Sequence, residues 1–300
     1  MQDFPLPLAG KIGWPWTEAA SFQTVTPEKL PKITIVTPSF NQAHYLEETI
    51  RSVLLQNYPF LEYIIIDGGS SDGSEAILKR YDAFIDFWVS EPDQGQSDAL
   101  CKGFARANGE IVAWLNSDDL LEPGALLRIG QAYAANPGAI IAGNVVNFNS
   151  VSGQERVIRQ SGLSTQNLIR LWRHDFVWHQ PGLFFPRAAY EEVGGIDVNL
   201  TYAMDHDLFI RLLQICPVVY LDETVARFRL HDTSKTVAQN TELAIEVVKV
   251  ARRYESLLSA KDRRFLEWKF RLPLLKHAAK QLLAGNKTAL QQLLRALSDL

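Results

Sequence analysis

From Lys32 to Leu121 short apolar runs alternate with segments of helical spacing. Ile33 to Thr37 is continuous and β-branched, as expected of a strand buried on both faces. His44 to Gln56 carries Leu46, Ile50, Val53 and Leu54 at helical spacing, and Tyr63 to Ile66 is a second apolar run stopped by Asp67-Gly68-Gly69. A helix over Gly73 to Tyr81, a strand over Phe87 to Ser90, a helix over Gln96 to Asn108 and a strand over Ile111 to Leu115 continue the series. This alternation predicts an α/β fold with a largely parallel, doubly wound sheet.

Beyond Pro123 the pattern loosens. It predicts a helix over Gly124 to Ala135, a strand over Ala139 to Phe148 and another over Leu183 to Phe185. A helix around Asp207 to Ile215 and two strands, near Val218 to Leu221 and Val225 to Leu230, come next. Residues 241–300 read as helices only, with Leu243, Val247, Val250, Tyr254 and Leu257 at helical spacing. The expected organisation is an N-terminal arm (1–31), an α/β body (32–240) and a helical C-terminal subdomain (241–300). Trp14-Pro15-Trp16 predicts that the arm is ordered, because exposed tryptophans leave much apolar area in water.

A chain of 300 residues can bury a substantial core. No stretch reaches the roughly 20 uninterrupted apolar residues of a membrane span, and Met1 to Gly10 does not read as a signal peptide. Cys101 and Cys216, both in apolar surroundings, predict reduced, buried thiols and a cytoplasmic setting. The net charge of −4 divides unevenly: residues 1–240 hold 18 basic against 28 acidic side chains, and residues 241–300 hold 12 against 6. The acidic body argues against a nucleic-acid partner. The basic tail is either a solvated helical face or a surface for an anionic membrane.

In open parallel sheets ligands bind beyond the carboxyl ends of the strands. Here those ends read Thr37-Pro38-Ser39-Phe40-Asn41, Asp67-Gly68-Gly69-Ser70, Glu91-Pro92-Asp93-Gln94-Gly95 and Asn116-Ser117-Asp118-Asp119. Two adjacent carboxylates repel unless a cation or solvent compensates them, and hard oxygen ligands suit Mg²⁺ or Mn²⁺ completed by phosphate oxygens. Asp119 is open to a second reading, as a cap for the helix near Pro123. Neither a Walker loop nor G-x-G-x-x-G comes after a strand, and His-Glu-x-x-His is absent, which disfavours P-loop, dinucleotide and zinc chemistry. Asp205-His206-Asp207 sits at a helix start, where either carboxylate can serve the helix end. His231 opens the polar run His231-Asp232-Thr233-Ser234-Lys235-Thr236 and reads as a metal ligand, a phosphate contact or neither. Lys102 and Arg106 share a helix face as solvated cations or as charge beside a diphosphate.

Taken in order, these motifs resemble the family 2 glycosyltransferases, whose catalytic domain has the GT-A fold, a Rossmann-like arrangement. The resemblance runs from Ile33 to His231 through ITIVTPSFNQAHYLEETIRSVLLQNYPFLEYIIIDGGSSDGS, EPDQGQSDAL, GEIVAWLNSDD, HQPGLFFPR, GGID, MDHDLFIRL and RLHDTSKT. It implies an inverting, metal-dependent transferase that moves a sugar from a nucleoside diphosphate to an acceptor hydroxyl, with uridine the favoured base. Thr37, Pro38 and Asp67 then correspond to the nucleoside site and Asp93 to a further donor contact. Asn116-Ser117-Asp118 occupies the family's D-x-D position, with Asn116 replacing the first aspartate, so metal binding leans on Asp118 and Asp119. Asp205 aligns with the catalytic base, and His231 falls where some GT-A enzymes place a third metal ligand. A saccharide or lipid-linked saccharide acceptor, in polysaccharide or glycoconjugate synthesis at the cytoplasmic face of a membrane, fits the basic tail, which would supply a peripheral membrane contact. Rival readings are a nucleotidyltransferase, a glycoside hydrolase using two carboxylates, and a silent nucleotide-sugar or glycan-binding module on the same fold.

Overall fold

The computed structural model describes residues 4–20, 30–170, 176–231, 240–266 and 268. The first half is a run of strand–helix units: β1 (Ile33–Ser39), α1 (Ala43–Leu54), β2 (Leu61–Asp67), α2 (Ser74–Tyr81), β3 (Phe87–Ser90), α3 (Gln96–Phe104) and β4 (Ile111–Trp114). These strands pair in parallel in the order β3-β2-β1-β4, with Ile33 opposite Leu61 on one side and Ile111 on the other. Successive residues face opposite sides of a strand, and both sides are covered. Ile33, Ile35, Tyr63 and Ile65 pack with Leu46, Ile50 and Leu78 in one apolar layer, while Val36, Ile64 and Ile66 pack with Leu100 and Phe104 in the other. Helix α3 lies close on β1 because Gly103 has no side chain: a Cβ there would stand 2.4 Å from Val36 Cγ1.

The second half adds β5 (Leu120–Leu121), α4 (Ala125–Ala135), β6 (Ile140–Phe148), β7 (Glu155–Ile158), α5 (Thr165–Ile169), β8 (Leu183–Pro186), α6 (Arg187–Glu192), α7 (Met204–Leu212), β9 (Val218–Arg229) and α8 (Asn240–Arg253). The sheet continues β4-β8-β6-β9-β5, with β7 on β6, so that nine strands join among the described residues. β8 runs antiparallel to β4 and β6, while β6 and β9 are parallel. The curled sheet is doubly wound and parallel in its first half and mixed in its second.

Three expectations need correcting. The two strands expected between Val218 and Leu230 are one strand, because Asp222 and Glu223 lie in an irregular stretch of the β6–β9 ladder rather than in a turn. The helix expected from Asp207 begins at Met204, with Ala203 at its N-cap, so Asp205 sits inside the first turn and is not the cap. Nor does Asp119 cap the helix after Pro123, which starts at Ala125 behind Gly124.

The described part of the arm is clamped by Arg51 of α1. Its guanidinium donates to the carbonyls of Pro5 (2.8 Å), Pro15 (3.0 Å) and Trp16 (2.8 Å) and to the Tyr81 hydroxyl (2.9 Å). Trp16 is buried, and Trp14 Nε1 donates to the Leu121 carbonyl at 2.9 Å. At the other end, α8 packs on α5 and α7. Residues beyond 268 lie outside the described part, so the helical reading of 269–300 is not addressed. Among the described residues no helix is long and apolar enough to cross a membrane. Cys101 and Cys216 are free, and burial pushes both thiols up.

Candidate functional site

A cavity of about 600 Å³ opens beyond the carboxyl ends of the parallel strands. Pro38, Ser39 and Phe40 reach it from β1, Gly68 from β2, and Asp93, Gly95 and Gln96 from the β3–α3 connection. Trp114, Asn116, Ser117 and Asp118 continue from β4, and Trp178 to Pro181, Tyr202, Met204, Asp205, Phe228 and Leu243 close the opposite wall. Parallel pairing explains the convergence, since every strand of that half delivers its last residue to one edge.

On the β1–β3 side the predicted residues separate into two groups. Pro38 and Asp93 line the cavity, whereas Thr37 and Asp67 lie behind it, fully buried. The Thr37 hydroxyl is 3.1 Å from the Tyr63 hydroxyl. Asp67 accepts from the Ser70 amide (2.9 Å), the Ser70 hydroxyl (2.6 Å) and the Ser90 hydroxyl (2.7 Å), which ties the ends of β2 and β3 together. Asp93 accepts the Gly95 amide at 2.8 Å, and its carboxylate lies close against Gly68, where a Cβ would stand 2.8 Å from Oδ2.

The Asn116–Asp119 turn is assembled from distant parts of the chain. Asn116 accepts from Gln96 Nε2 at 2.8 Å and donates to Asp119 at 3.3 Å. Asp119 is buried and outside the cavity lining; the Arg229 amide donates to its Oδ1 at 3.0 Å. Burial, together with the neighbouring Asp118 charge, pushes the Asp119 carboxyl well up. Arg229 also donates to the Asp118 carbonyl (2.8 Å) and to Glu48 of α1 (2.9 Å), and its guanidinium lies over the Tyr45 and Phe148 rings. Asp118 itself faces the cavity, and His231 Nε2 lies 2.9 Å from its Oδ2. Beyond His231 the polar run at 232–236 lies outside the described residues.

Among the described residues no three His, Cys, Asp or Glu side chains form a metal cage. The converging carboxylate and imidazole of Asp118 and His231 are nonetheless a donor pair of the type Mn²⁺ accepts, and a hard cation of this kind is commonly completed by phosphate oxygens and water.

Across the cavity, Asp205 projects from the first turn of α7. Burial pushes its carboxyl up to about 6, with a smaller contribution from the Glu246 charge, against the pull of the His206 amide that it accepts at 2.7 Å. A carboxyl so placed is mostly ionised at neutral pH yet more basic than a free aspartate, as a general base requires. Asp207 turns away into a structural network: Arg211 donates to it twice, and the Tyr254 hydroxyl donates at 2.8 Å. His206 is buried, and desolvation pushes its imidazole down to about 4. Lys102 pairs with Glu91 and Asp98, and Arg106 stacks on the Phe87 ring, so both are engaged away from the lining.

Three residues of the motif stretches play parts that their spacing does not reveal. Gln180 holds the Trp114 carbonyl at 2.8 Å, Gln96 holds Asn116, and Arg229 staples β9 to the Asp118–Asp119 turn. Each is an ordinary polar residue until the fold brings its partner near.

Comparison with known proteins places this architecture. A crystal structure of S. aureus TarS 1–349 in complex with UDP-GlcNAc superposes with a TM-score of 0.66 at 15% identity, over 89% of this chain and 80% of that one; against a longer TarS chain the match spans 42% of its length. The mannosyltransferase PcManGT from Pyrobaculum calidifontis, in complex with GDP-Man and Mn²⁺, superposes with a TM-score of 0.56 at 16% identity, over 94% and 89% of the two chains. These likenesses establish the GT-A fold. An uncharacterized glycosyltransferase of Mycobacterium tuberculosis is 29% identical over 201 residues, 66% of this chain and 75% of that protein. One from Rickettsia typhi is 28% identical over 235 residues, 76% and 71% of the two. The family model described as glycosyl transferase family 2 matches residues 34–194, more than half of the chain. The chain belongs to glycosyl transferase family 2.

Proposed function

We propose that this glycosyltransferase moves a sugar, with inversion, from a nucleoside diphosphate, UDP being the favoured carrier, to an acceptor hydroxyl, with Asp205 as the base. The carrying observation is that Asp205, its carboxyl held near 6, shares one cavity with Asp93, Asn116 and Asp118. The acceptor oxygen bonds to the anomeric carbon as its proton passes to Asp205. The bond from that carbon to the diphosphate oxygen breaks, and its electron pair leaves with the diphosphate.

On the donor side, Pro38 and Asp93 bound the nucleoside end and Asn116 offers its amide to ribose or sugar hydroxyls. Thr37 and Asp67 act from behind the lining, holding the ends of β1 and β2 in place. Asp118 and His231 would hold a divalent cation, Mn²⁺ or Mg²⁺, which when bound supplies positive charge where the leaving diphosphate gathers negative charge. Asp119, buried under the same turn, fixes its position through Arg229. PcManGT and TarS bind GDP-Man with Mn²⁺ and UDP-GlcNAc respectively, which supports a nucleotide-sugar donor here.

The acceptor we infer is a saccharide or lipid-linked saccharide, in polysaccharide or glycoconjugate synthesis, met at the cytoplasmic face of a membrane. Residues 260–266 are helical, and Leu266 is buried while Asp262 bonds to Arg170 at 2.7 Å. The other face carries Lys261, Arg264, Phe265 and Trp268 at helical spacing, all exposed. Cations beside exposed aromatics suit the interface of an anionic bilayer, and the net +6 of residues 241–300 complements it.

The test is a donor screen, scoring transfer and hydrolysis of UDP-, GDP- and dTDP-sugars with Mn²⁺ or Mg²⁺, on the full chain and on Asp205→Asn. The variant is expected to bind donor with unchanged affinity and to lose transfer. Transfer that survives removes Asp205 as the base, and nucleotide-sugar binding by neither protein removes the donor class.

A further inference from the structure

Helix α8 meets the cavity at one residue and the loop behind its reaction side at another. Leu243 lines the cavity, and one turn later Glu246 points its carboxylate at the loop leading into α7. Glu246 Oε1 accepts the Thr201 amide at 3.0 Å, and Oε2 accepts the amides of Tyr202 (2.5 Å) and Ala203 (2.6 Å). Ala203 is the N-cap of α7 and supplies no side-chain cap of its own. A carboxylate from another helix therefore gathers three consecutive amides at the head of the helix that carries Asp205. Bonds between an ionised acceptor and backbone amides are among the strong ones.

The other end of α8 grips the same neighbourhood. The Tyr254 hydroxyl, just past its last turn, donates to Asp207 of α7, and Arg253 donates to Asp197 at 2.7 Å. Two separated attachments fix α7 against α8 in rotation as well as in distance. Tyr202, whose amide Glu246 holds, lines the cavity beside Asp205.

We propose that Glu246 is a positioning residue for glycosyl transfer: through the amides of Thr201, Tyr202 and Ala203 it sets where the Asp205 carboxylate stands against the acceptor hydroxyl. The helix beyond the family match is thereby part of the acceptor side of the site. This role rests on the reading of Asp205 as the base. It also has an electrostatic side, because the Glu246 charge pushes the Asp205 carboxyl in the same upward direction as burial does. α8 turns two charged groups to the first turn of α7, Glu246 to the amides at its head and Arg253 to Asp207 at 3.5 Å; α5, also packed on α7, contributes none within Thr165–Ile169, and Asp93, Asp118 and His179 share the cavity wall.

Steady-state transfer kinetics across pH, with donor binding by calorimetry, on the full chain, Glu246→Ala, Glu246→Gln and Asp205→Asn test this. In Glu246→Ala the three amides lose their acceptor, and kcat is expected to fall roughly 100-fold, the scale of a small misplacement of a reacting group, with donor affinity unchanged. Glu246→Gln keeps the shape and one acceptor oxygen but loses the charge, so the acid limb of its kcat profile is expected to move to lower pH. A merely structural role would lower the melting temperature and leave that limb in place. Wild-type kcat and an unmoved limb in Glu246→Gln overturn the proposal, whether or not Glu246→Ala folds. Transfer by Asp205→Asn overturns the reading of the base instead; a silent Asp205→Asn beside wild-type Glu246 variants removes only the positioning role.

Discussion

His231 Nε2 stands 2.9 Å from Asp118 Oδ2, although 113 residues separate the two in the chain. β9 ends at Arg229, whose amide and guanidinium fasten it to the Asp118–Asp119 turn, and His231 comes two residues later. The pair is thus held from two sides, one by β4 and one by β9. His231→Ala and Asp118→Asn are each expected to lower Mn²⁺ affinity in the presence of nucleoside diphosphate by at least the roughly 10- to 100-fold associated with outer-shell partners. Calorimetric titration of Mn²⁺ checks this, and unchanged affinity in both variants excludes the pair as ligands.

The raised Asp205 carboxyl sets a pH dependence with a definite sign. As the base it must be ionised, so kcat falls roughly tenfold per pH unit below about 6 and levels off above it. For stability the sign reverses. The folded protein holds the Asp205 proton more tightly than the unfolded chain, so this contribution is full below about pH 4 and is lost as pH rises through about 6. Asp205→Asn, which cannot ionise, is therefore expected to gain about 1–3 kcal/mol relative to wild type at pH 7.5. Urea unfolding at pH 7.5 and at pH 4 measures the gain and its disappearance.

Gly68→Ala probes the donor side by crowding the Asp93 carboxylate while removing no polar group. Its Cβ would lie 2.8 Å from Asp93 Oδ2, and the carboxylate, at the end of a side chain, is what gives way. Donor affinity is expected to fall by about tenfold, on the order of 1.4 kcal/mol, with the unfolding midpoint nearly unchanged. A variant that loses stability instead places Gly68 in the fold and outside recognition.

Arg51→Met should release the arm. Three carbonyls and the Tyr81 hydroxyl lose a buried charged donor, and the loss is expected to exceed about 3 kcal/mol, since bonds to charged groups contribute roughly 1.5–3 kcal/mol each. Limited proteolysis should then cut between Phe4 and Trp16 at a rate that wild type does not show.

Lys261→Glu with Arg264→Glu reverses the exposed basic stripe, and Trp268→Ala removes its aromatic. Cosedimentation with vesicles of phosphatidylserine and phosphatidylcholine is expected to drop in both variants, and wild type is expected to ignore pure phosphatidylcholine. Equal sedimentation of all three proteins removes the membrane contact.

The parallel half of the fold is legible in the sequence because its strands are buried on both faces and so appear as unbroken apolar runs from Ile33, Tyr63 and Ile111. The edge that bears the site is legible for the same reason, since the residues just after each run are the ones the sheet delivers to the cavity. β7 is not, because three of its four residues face solvent. Nor is the continuity of β9: Asp222-Glu223 resembles a turn, and only the ladder against β6 shows that it is absorbed as an irregularity. Asp67 illustrates a different limit. A conspicuous aspartate at a strand end can serve the ligand or the strand ends, and here its oxygens bond Ser70 and Ser90. In the sequence Glu246 is no more than one polar position on an amphipathic helix, because its meaning lies in the amides of a loop more than forty residues earlier.

The bond from the Arg229 amide to buried Asp119 also dictates an order of assembly. As the chain leaves the ribosome, the strands that bear Pro38, Asp93 and Asp118 emerge first and can already pair. Asp119 nevertheless has only the Asn116 amide as a partner within the turn until Arg229 arrives, 110 residues later, with its own amide for that carboxylate and its guanidinium for the Asp118 carbonyl. A nascent or truncated chain ending before Arg229 thus carries Pro38, Asp93, Asn116 and Asp118 and still lacks a finished place to put the diphosphate.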